Sequence, residues 1–564
     1  VYFRLSGKVK GHEFSWIHAH VRQLQRGKNI SITGGITMVR LYRGMYFFSF
    51  CLMCTLYPYV AESLEPATSM PRQKYLMDFG WRFHRGNSDV PLGRDHASSY
   101  FAAKAQRGRG PAGLTYDDSR WEKVDLPHDF VVSGTFDRNA IMNQGYLPRG
   151  IGWYRRTFRL EPAESGKHLA LLFEGVGTHC TIWLNGFLLY RNFCGYTSFE
   201  VDISDVASYG DSLNVLAVKI DATDIEGWWY EGAGIYRHVW LTVTDKVRLA
   251  TWGTGIFPRK DAGNRWIVDI ETRAVNQTFR KSDVVLVSRI LDSEGTTVSE
   301  SRMPCSLPAH GEGLFTHSIP VENPRLWSLE EPNLYKLHTR LLEQDTALDN
   351  SETTFGFRTV EFSPDQGFLL NGRRVILQGT NNHQDHAGVG VALPDRIHEY
   401  RIERLKQMGS NAYRCSHNPP APELLDACDR LGMLVMDENR WFDSSTDGMN
   451  QVRSMVLRDR NHPCIVAWSL GNEEVHLQGT ARGVTIYQSL AAVVKNLDPT
   501  RPITIAMNGS WGQGFSTVVD IQACNYLFCG DVDAFHRTFP HTPVVFTESA
   551  GTACTRGVYE DDEA

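Results

Sequence analysis

Cysteine is scarce, with eleven in 564 residues, too few for a disulfide scaffold at this length. Cys415, Cys464 and Cys524 fall inside expected buried strands, where reduced cysteine serves as a small core residue. The single CxxC spacing, Cys51 to Cys54, has no partner pair, which argues against a thiolate metal or redox motif. An excess of positive charge is missing too: 58 Lys and Arg against 64 Asp and Glu leave a net charge of -6. The basic footprint that nucleic acid or an anionic membrane requires is therefore absent, and a neutral polar substrate fits better. No apolar run reaches the roughly 20 residues that span a bilayer. The strongest, residues 45–56, follows Arg40 and Arg43 and precedes Ala61-Glu62-Ser63, a small-x-small cleavage pattern. It predicts a secretory signal over 38–63, hence a secreted or periplasmic protein without a stable membrane anchor. Residues 1–37 read as an upstream extension, with translation starting at Met38 or Met45.

Aromatic residues are plentiful, at 11% of the chain. They suit sugar-stacking sites and ordinary sandwich cores alike. At about 100–200 residues per domain, this length predicts three or more domains. Residues 76–245 alternate apolar and polar between turn residues, as in Thr181-Ile182-Trp183-Leu184-Asn185-Gly186, which predicts a β-sandwich. Residues 246–357 alternate again without paired cysteines, which fits an immunoglobulin-like sandwich lacking its disulfide. From 358 to 564 strand and helix periods take turns. Strands are expected at 375–379, 411–415, 433–438, 464–470, 502–506, 519–526 and 543–547, with helices near 394–408, 421–431 and 479–497. This is the pattern of a (β/α)8 TIM barrel. Seven strands can be counted where closure needs eight, so the barrel is expected to be incomplete at its C-terminus.

Carboxyl ends of barrel strands converge on one mouth, which gathers His383, Arg414, His417, Glu438, Asn472, Glu473, Tyr526 and Glu548 into one constellation. Two of its glutamates end β-prone apolar runs, at Trp468-Ser469-Leu470-Gly471-Asn472-Glu473 and Val544-Val545-Phe546-Thr547-Glu548. Glycoside hydrolysis needs such a pair, one to protonate the departing oxygen and one to attack the anomeric carbon.

The segments Gly379-Thr380-Asn381-Asn382-His383, Arg414-Cys415-Ser416-His417-Asn418-Pro419-Pro420, Met436-Asp437-Glu438-Asn439, Asn461-His462-Pro463 with Ser469-Leu470-Gly471-Asn472-Glu473, and Thr547-Glu548 resemble glycoside hydrolase family 2, in its β-galactosidase-like branch. Asp117 to Trp121, Gly152 to Arg156 and Gly232 to Arg237 resemble that family's sugar-binding jelly roll. The resemblance implies Glu473 as acid/base, Glu548 as nucleophile, Asn472 as a donor to the sugar 2-hydroxyl and Tyr526 as a partner orienting the nucleophile. It implies His383 and His417 as sugar contacts, with Arg414 positioning carboxylates and Glu438 beside them. The implied activity is a retaining exo-β-galactosidase acting on a carbohydrate, with β-glucuronidase or β-mannosidase as alternatives. A catalytically inactive sugar-binding protein is the reading from another class. A homo-oligomer is compatible with the sequence.

Two departures stand out. Phe442 and Ser444 occupy the positions where some members hold magnesium through an acid and a histidine, so no cofactor is expected. His383, Asp385 and His386 are too loosely patterned to predict a metal. Glu226-Gly227-Trp228-Trp229-Tyr230 places aromatics where some members present a galactose-binding aspartate.

Overall fold

The computed structural model describes residues 71–549. The extension expected at 1–37, the signal at 38–63 and the Cys51–Cys54 spacing lie outside the described residues.

The first sandwich is antiparallel. One sheet runs in the order Gln73–Leu76, Val239–Thr244, His168–Phe173, Phe199–Asp202. The facing sheet has six strands, with Ile151–Phe158 and Asn214–Asp221 at its centre. Strand His179–Leu184 is buried at every second residue, so Cys180, Ile182 and Leu184 enter the core with Leu169, Leu171 and Phe173 of the other sheet. That period of two is the alternation expected from the sequence. The second sandwich packs three strands (Val247–Lys260, Trp266–Asn276, Gly311–Val321) on four, centred on Ser282–Leu291 and Tyr335–Glu343. Its strand Trp266–Asn276 alternates without interruption along eleven residues.

The third region is a parallel, barrel-like sheet of seven strands in sequence order: Gly379–Asn382, Ala412–Cys415, Leu434–Glu438, Ile465–Asn472, Ile503–Met507, Gln522–Asn525 and Val544–Glu548. Ile465–Asn472 is buried at all eight residues, as a parallel strand covered on both faces must be. Helices Asp395–Gln407, Pro422–Leu431, Thr446–Asp459 and Ala481–Leu497 lie between strands and supply Ile402, Leu424, Leu425, Val452, Met455 and Leu490 to the core. Helix Pro422–Leu431 stops at Gly432, whose φ of +71° needs no Cβ. An added Cβ would also lie 2.5 Å from the Leu329 carbonyl oxygen.

The first barrel strand departs from expectation. The apolar run Val375-Ile376-Leu377 is not in it, and the strand begins at Gly379. Arg373–Arg374 pair back onto Leu369–Leu370 in a hairpin, and the Asn411 side chain, bonding Gln378 N and Ile376 O, holds 376–378 as a connecting segment. The parallel ladder starts only where Gly379 meets Ala412. Ile376 is left 68% exposed. It lines a cavity of about 890 Å³ between the first and seventh strands, which do not pair with each other among the described residues.

The first sandwich grips the barrel through a few buried polar groups. Arg237 donates to Gln384 Oε1 (3.0 Å) and to the Pro419 carbonyl (2.9 Å). Asp129 accepts from Val391 N on the barrel side and from Tyr230 Oη. Trp441 Nε1, just past the third barrel strand, donates to Glu226 Oε1 at 2.7 Å. These contacts fix the loop 226–230 over the barrel mouth.

Candidate active site

Strand ends supply the site, because a parallel sheet aims the last residue of each strand at the same rim. Arg414 is the penultimate residue of the second strand, while Glu438 closes the third, Asn472 the fourth and Glu548 the seventh. Glu473 and Tyr526 follow the fourth and sixth strands directly. Both have left-handed backbones, with φ of +53° and +61°. A non-glycine residue held there costs of order 1–3 kcal/mol, a strain that clusters at functional sites.

Arg414, 5% exposed, is the hub. Its Nη1 donates to Glu548 Oε1 (2.8 Å), its Nη2 to Asn472 Oδ1 (2.8 Å), and its Nε and Nη2 to Glu438 Oε2 (2.9 and 2.7 Å). Glu438 is fully buried. Its Oε2 also accepts from Ser469 Oγ, and its Oε1 lies 2.6 Å from His417 Nδ1. Burial alone would raise this carboxyl, but Arg414 and His417 outweigh it and hold it down at about 2. Glu438 thus faces protein donors on both oxygens.

Glu548 is held from two sides, by Arg414 on Oε1 and by Tyr526 Oη on Oε2 at 2.6 Å. That hydrogen bond, with burial, raises the Tyr526 phenol and keeps it protonated as a donor. His417 Nε2 lies 3.7 Å from Glu548 Oε1. Glu473 Oε1 accepts from Asn525 Nδ2 at 2.7 Å, and the same amide reaches Asn472 Oδ1 at 3.1 Å. Asn472 therefore spends its carbonyl on protein donors, while its buried Nδ2 has no partner among the described residues. A buried amide donor without a partner costs roughly 1–3 kcal/mol, and Asn472 keeps it at the rim of the site. His383 lies 3.0 Å from the Ser416 carbonyl through Nδ1, which must carry the proton. Burial and His417 push its imidazole down to about 4, so it is neutral and offers Nε2 as an acceptor.

All eight residues named from the sequence come together here. Ser469, Asn525 and Arg440 join them without having been singled out. A polar residue at or beside a strand's carboxyl end was the only available signal, and it marks many positions. Trp228 and Trp229 arrive from the sandwich loop: Trp229 stacks on His383 with centroids 4.8 Å apart, and Trp228 lies 5.6 Å from His417. Asp385 and His386 form no metal-competent cluster with His383 among the described residues. Phe442 packs on Phe515 at 5.1 Å.

Three family models match the chain in tandem: the sugar-binding domain of glycosyl hydrolases family 2 over residues 128–245, a glycosyl hydrolases family 2 domain over 256–358, and the family's TIM barrel domain over 362–548. The chain belongs to glycosyl hydrolase family 2. The chain is similar to a β-galactosidase of Bacteroides ovatus, 33% identical over 543 residues, covering 87% of this chain and 60% of that protein. A β-glucuronidase of Bacteroides fragilis is 29% identical over 420 residues, covering 70% of this chain and 59% of its own. Among solved structures, a family 2 member from Bacteroides cellulosilyticus superposes with a TM-score of 0.76 at 33% identity, covering 84% of this chain and 61% of that one. The chain thus spans about 60% of the length of these relatives.

Proposed function

We propose that the protein is a retaining exo-β-glycosidase that removes terminal β-D-galactosyl residues. The observation that carries this reading is the seating of Glu548 between the Tyr526 hydroxyl and the Arg414 guanidinium, with Glu473 at the end of the fourth strand. Two donors on Glu548 fix its orientation, which is what a carboxylate nucleophile needs. Glu473 works by proton transfer instead. It gives a proton to the departing glycosidic oxygen, then takes one from the water that releases the sugar. The free Nδ2 of Asn472 would donate to the sugar 2-hydroxyl, and Glu438 would act from behind by holding Arg414 and His417 in place. A second reading, β-glucuronidase, is favoured by relatives of that name. The secretory signal expected at 38–63 would place the enzyme in an extracytoplasmic compartment.

A panel of aryl β-glycosides tests the activity, and a 2-deoxy-2-fluoro β-galactoside tests the mechanism. We expect the fluoro sugar to add its glycosyl mass to a peptide containing Glu548, and Glu548→Gln to lose turnover by at least about 10³-fold. Labelling elsewhere, or an active Glu548→Gln protein, would remove Glu548 as nucleophile.

A further inference from the structure

Among the described residues around the candidate site, Arg440 is a cationic side chain that this reading leaves unused. Arg414 is committed to Glu438, Glu548 and Asn472, which leaves Arg440, two residues past the third strand. It is 7% exposed. Its guanidinium carbon lies 5.3 Å from the ring centre of Trp228 and 5.1 Å from that of Trp229. Its Nη1 donates to the His417 carbonyl at 3.2 Å, and its Nε has no partner among the described residues. Its field falls on the buried carboxyls of Glu226 and Glu231 and on Glu474. Trp229 is buried, with Nε1 also unpartnered, whereas Trp228 is 48% exposed and meets it edge-on at 5.0 Å.

Resting on the glycosidase reading above, we infer that Trp228 is the specificity-determining residue of this site, an aromatic wall for a neutral hexopyranoside that screens Arg440 from a uronate carboxylate. The C–H face of a neutral pyranose can lie on an indole ring. A carboxylate in the same place would lose its water and meet that ring, not the paired N–H groups that a guanidinium offers when uncovered. The cation–π contact keeps the guanidinium turned toward the rings. The wall is held from behind, since Glu226 binds both Trp441 Nε1 and Gly195 N, and the Gly227 carbonyl accepts from Gln144 Nε2.

The test compares kcat/KM for 4-nitrophenyl β-D-galactoside and 4-nitrophenyl β-D-glucuronide in the full chain, in Trp228→Ala, in Trp228→Phe and in Trp228→Ala/Arg440→Gln. We expect the wild type to prefer the galactoside by about 10²-fold or more. Trp228→Ala should raise KM for the galactoside about 10-fold, leave its kcat within about 3-fold, and raise kcat/KM for the glucuronide. Trp228→Phe should keep the preference, and the double variant should lose the gain on glucuronide. Should Trp228→Ala fail to fold, quenching of wild-type tryptophan fluorescence by galactose and not by glucuronate makes the same distinction. An unchanged galactoside-to-glucuronide ratio in Trp228→Ala would overturn the inference and leave the glycosidase reading standing, whereas a wild type that prefers the glucuronide would overturn both the inference and the galactosyl specificity proposed above. A wild type that hydrolyses neither glycoside would overturn the glycosidase reading itself.

Discussion

Arg414, Glu438 and His417 are three charged or chargeable groups in a site where water is nearly excluded, and they persist because each neutralises another. Removing one partner of such a set leaves an uncompensated buried charge and costs about 3–5 kcal/mol. Glu438→Gln should therefore lower the urea-unfolding free energy at neutral pH by that much. The difference has a defined pH window. A free glutamate titrates near 4.5, and this one is held at about 2. The folded state thus binds the proton more weakly than the unfolded chain, so the stabilisation is complete above pH 4.5 and fades as pH falls through 2. Unfolding free energies of wild type and Glu438→Gln measured at pH 7 and at pH 2.5 should draw together at the lower pH. Tyr526→Phe removes one of two donors to Glu548 while leaving the ring in place, and it should lower kcat by about 10²-fold. A shift in KM alone would assign Tyr526 to sugar binding.

The helices and strands were legible wherever their period was unbroken. Asp395–Gln407, Pro422–Leu431 and Ala481–Leu497 carry apolar residues at helical spacing, and six of the seven barrel strands fall where apolar runs ended at polar residues. The first strand was misplaced because its apolar run belongs to the segment leading in, while the paired residues Gly379–Asn382 are small and polar. Apolar sequence does not mark burial here, since Ile376 is exposed, and the strand is defined by hydrogen bonds to its neighbour. At this scale Gly432 is the sharpest prediction. Gly432→Ala would put a Cβ on a left-handed residue and against a carbonyl oxygen 2.5 Å away, costing about 1–2 kcal/mol from the backbone alone. A thermal midpoint unchanged from wild type would show that the helix end relaxes freely.

Between sandwich and barrel, His238 makes a bridge that depends on its charge. Its Nδ1 lies 2.5 Å from Asp78 Oδ2 and its Nε2 2.9 Å from Asp395 Oδ1. Burial opposes the charge, but Asp78 and Asp395 prevail and lift the imidazole to about 10. The folded state holds this proton more tightly than the unfolded chain, whose histidine titrates near 6.5. The contribution is therefore complete below pH 6.5 and is lost as pH rises through 10. His238→Gln should be less stable than wild type at pH 6 and nearly equal to it at pH 10.5 in the thermal midpoint. Since the same junction fixes Trp228 and Trp229 over the barrel mouth, Arg237→Ala should raise KM as well as lower stability.

The layered architecture, the family resemblance and the strand ends at which Glu473 and Glu548 stand can be read from the chain alone. Those depend on local period and on contiguous motifs such as Ser469-Leu470-Gly471-Asn472-Glu473. That Glu438 is buried against Arg414 and His417, and that Asn525 bonds Glu473, follows only from the tertiary packing. This packing alone brought Trp228, from a different domain of the chain, over Arg440 at the mouth. Motifs record which residues a strand ends with. Which of them meet, and which face solvent, depends on how parallel strands and a separate sandwich loop converge at one rim.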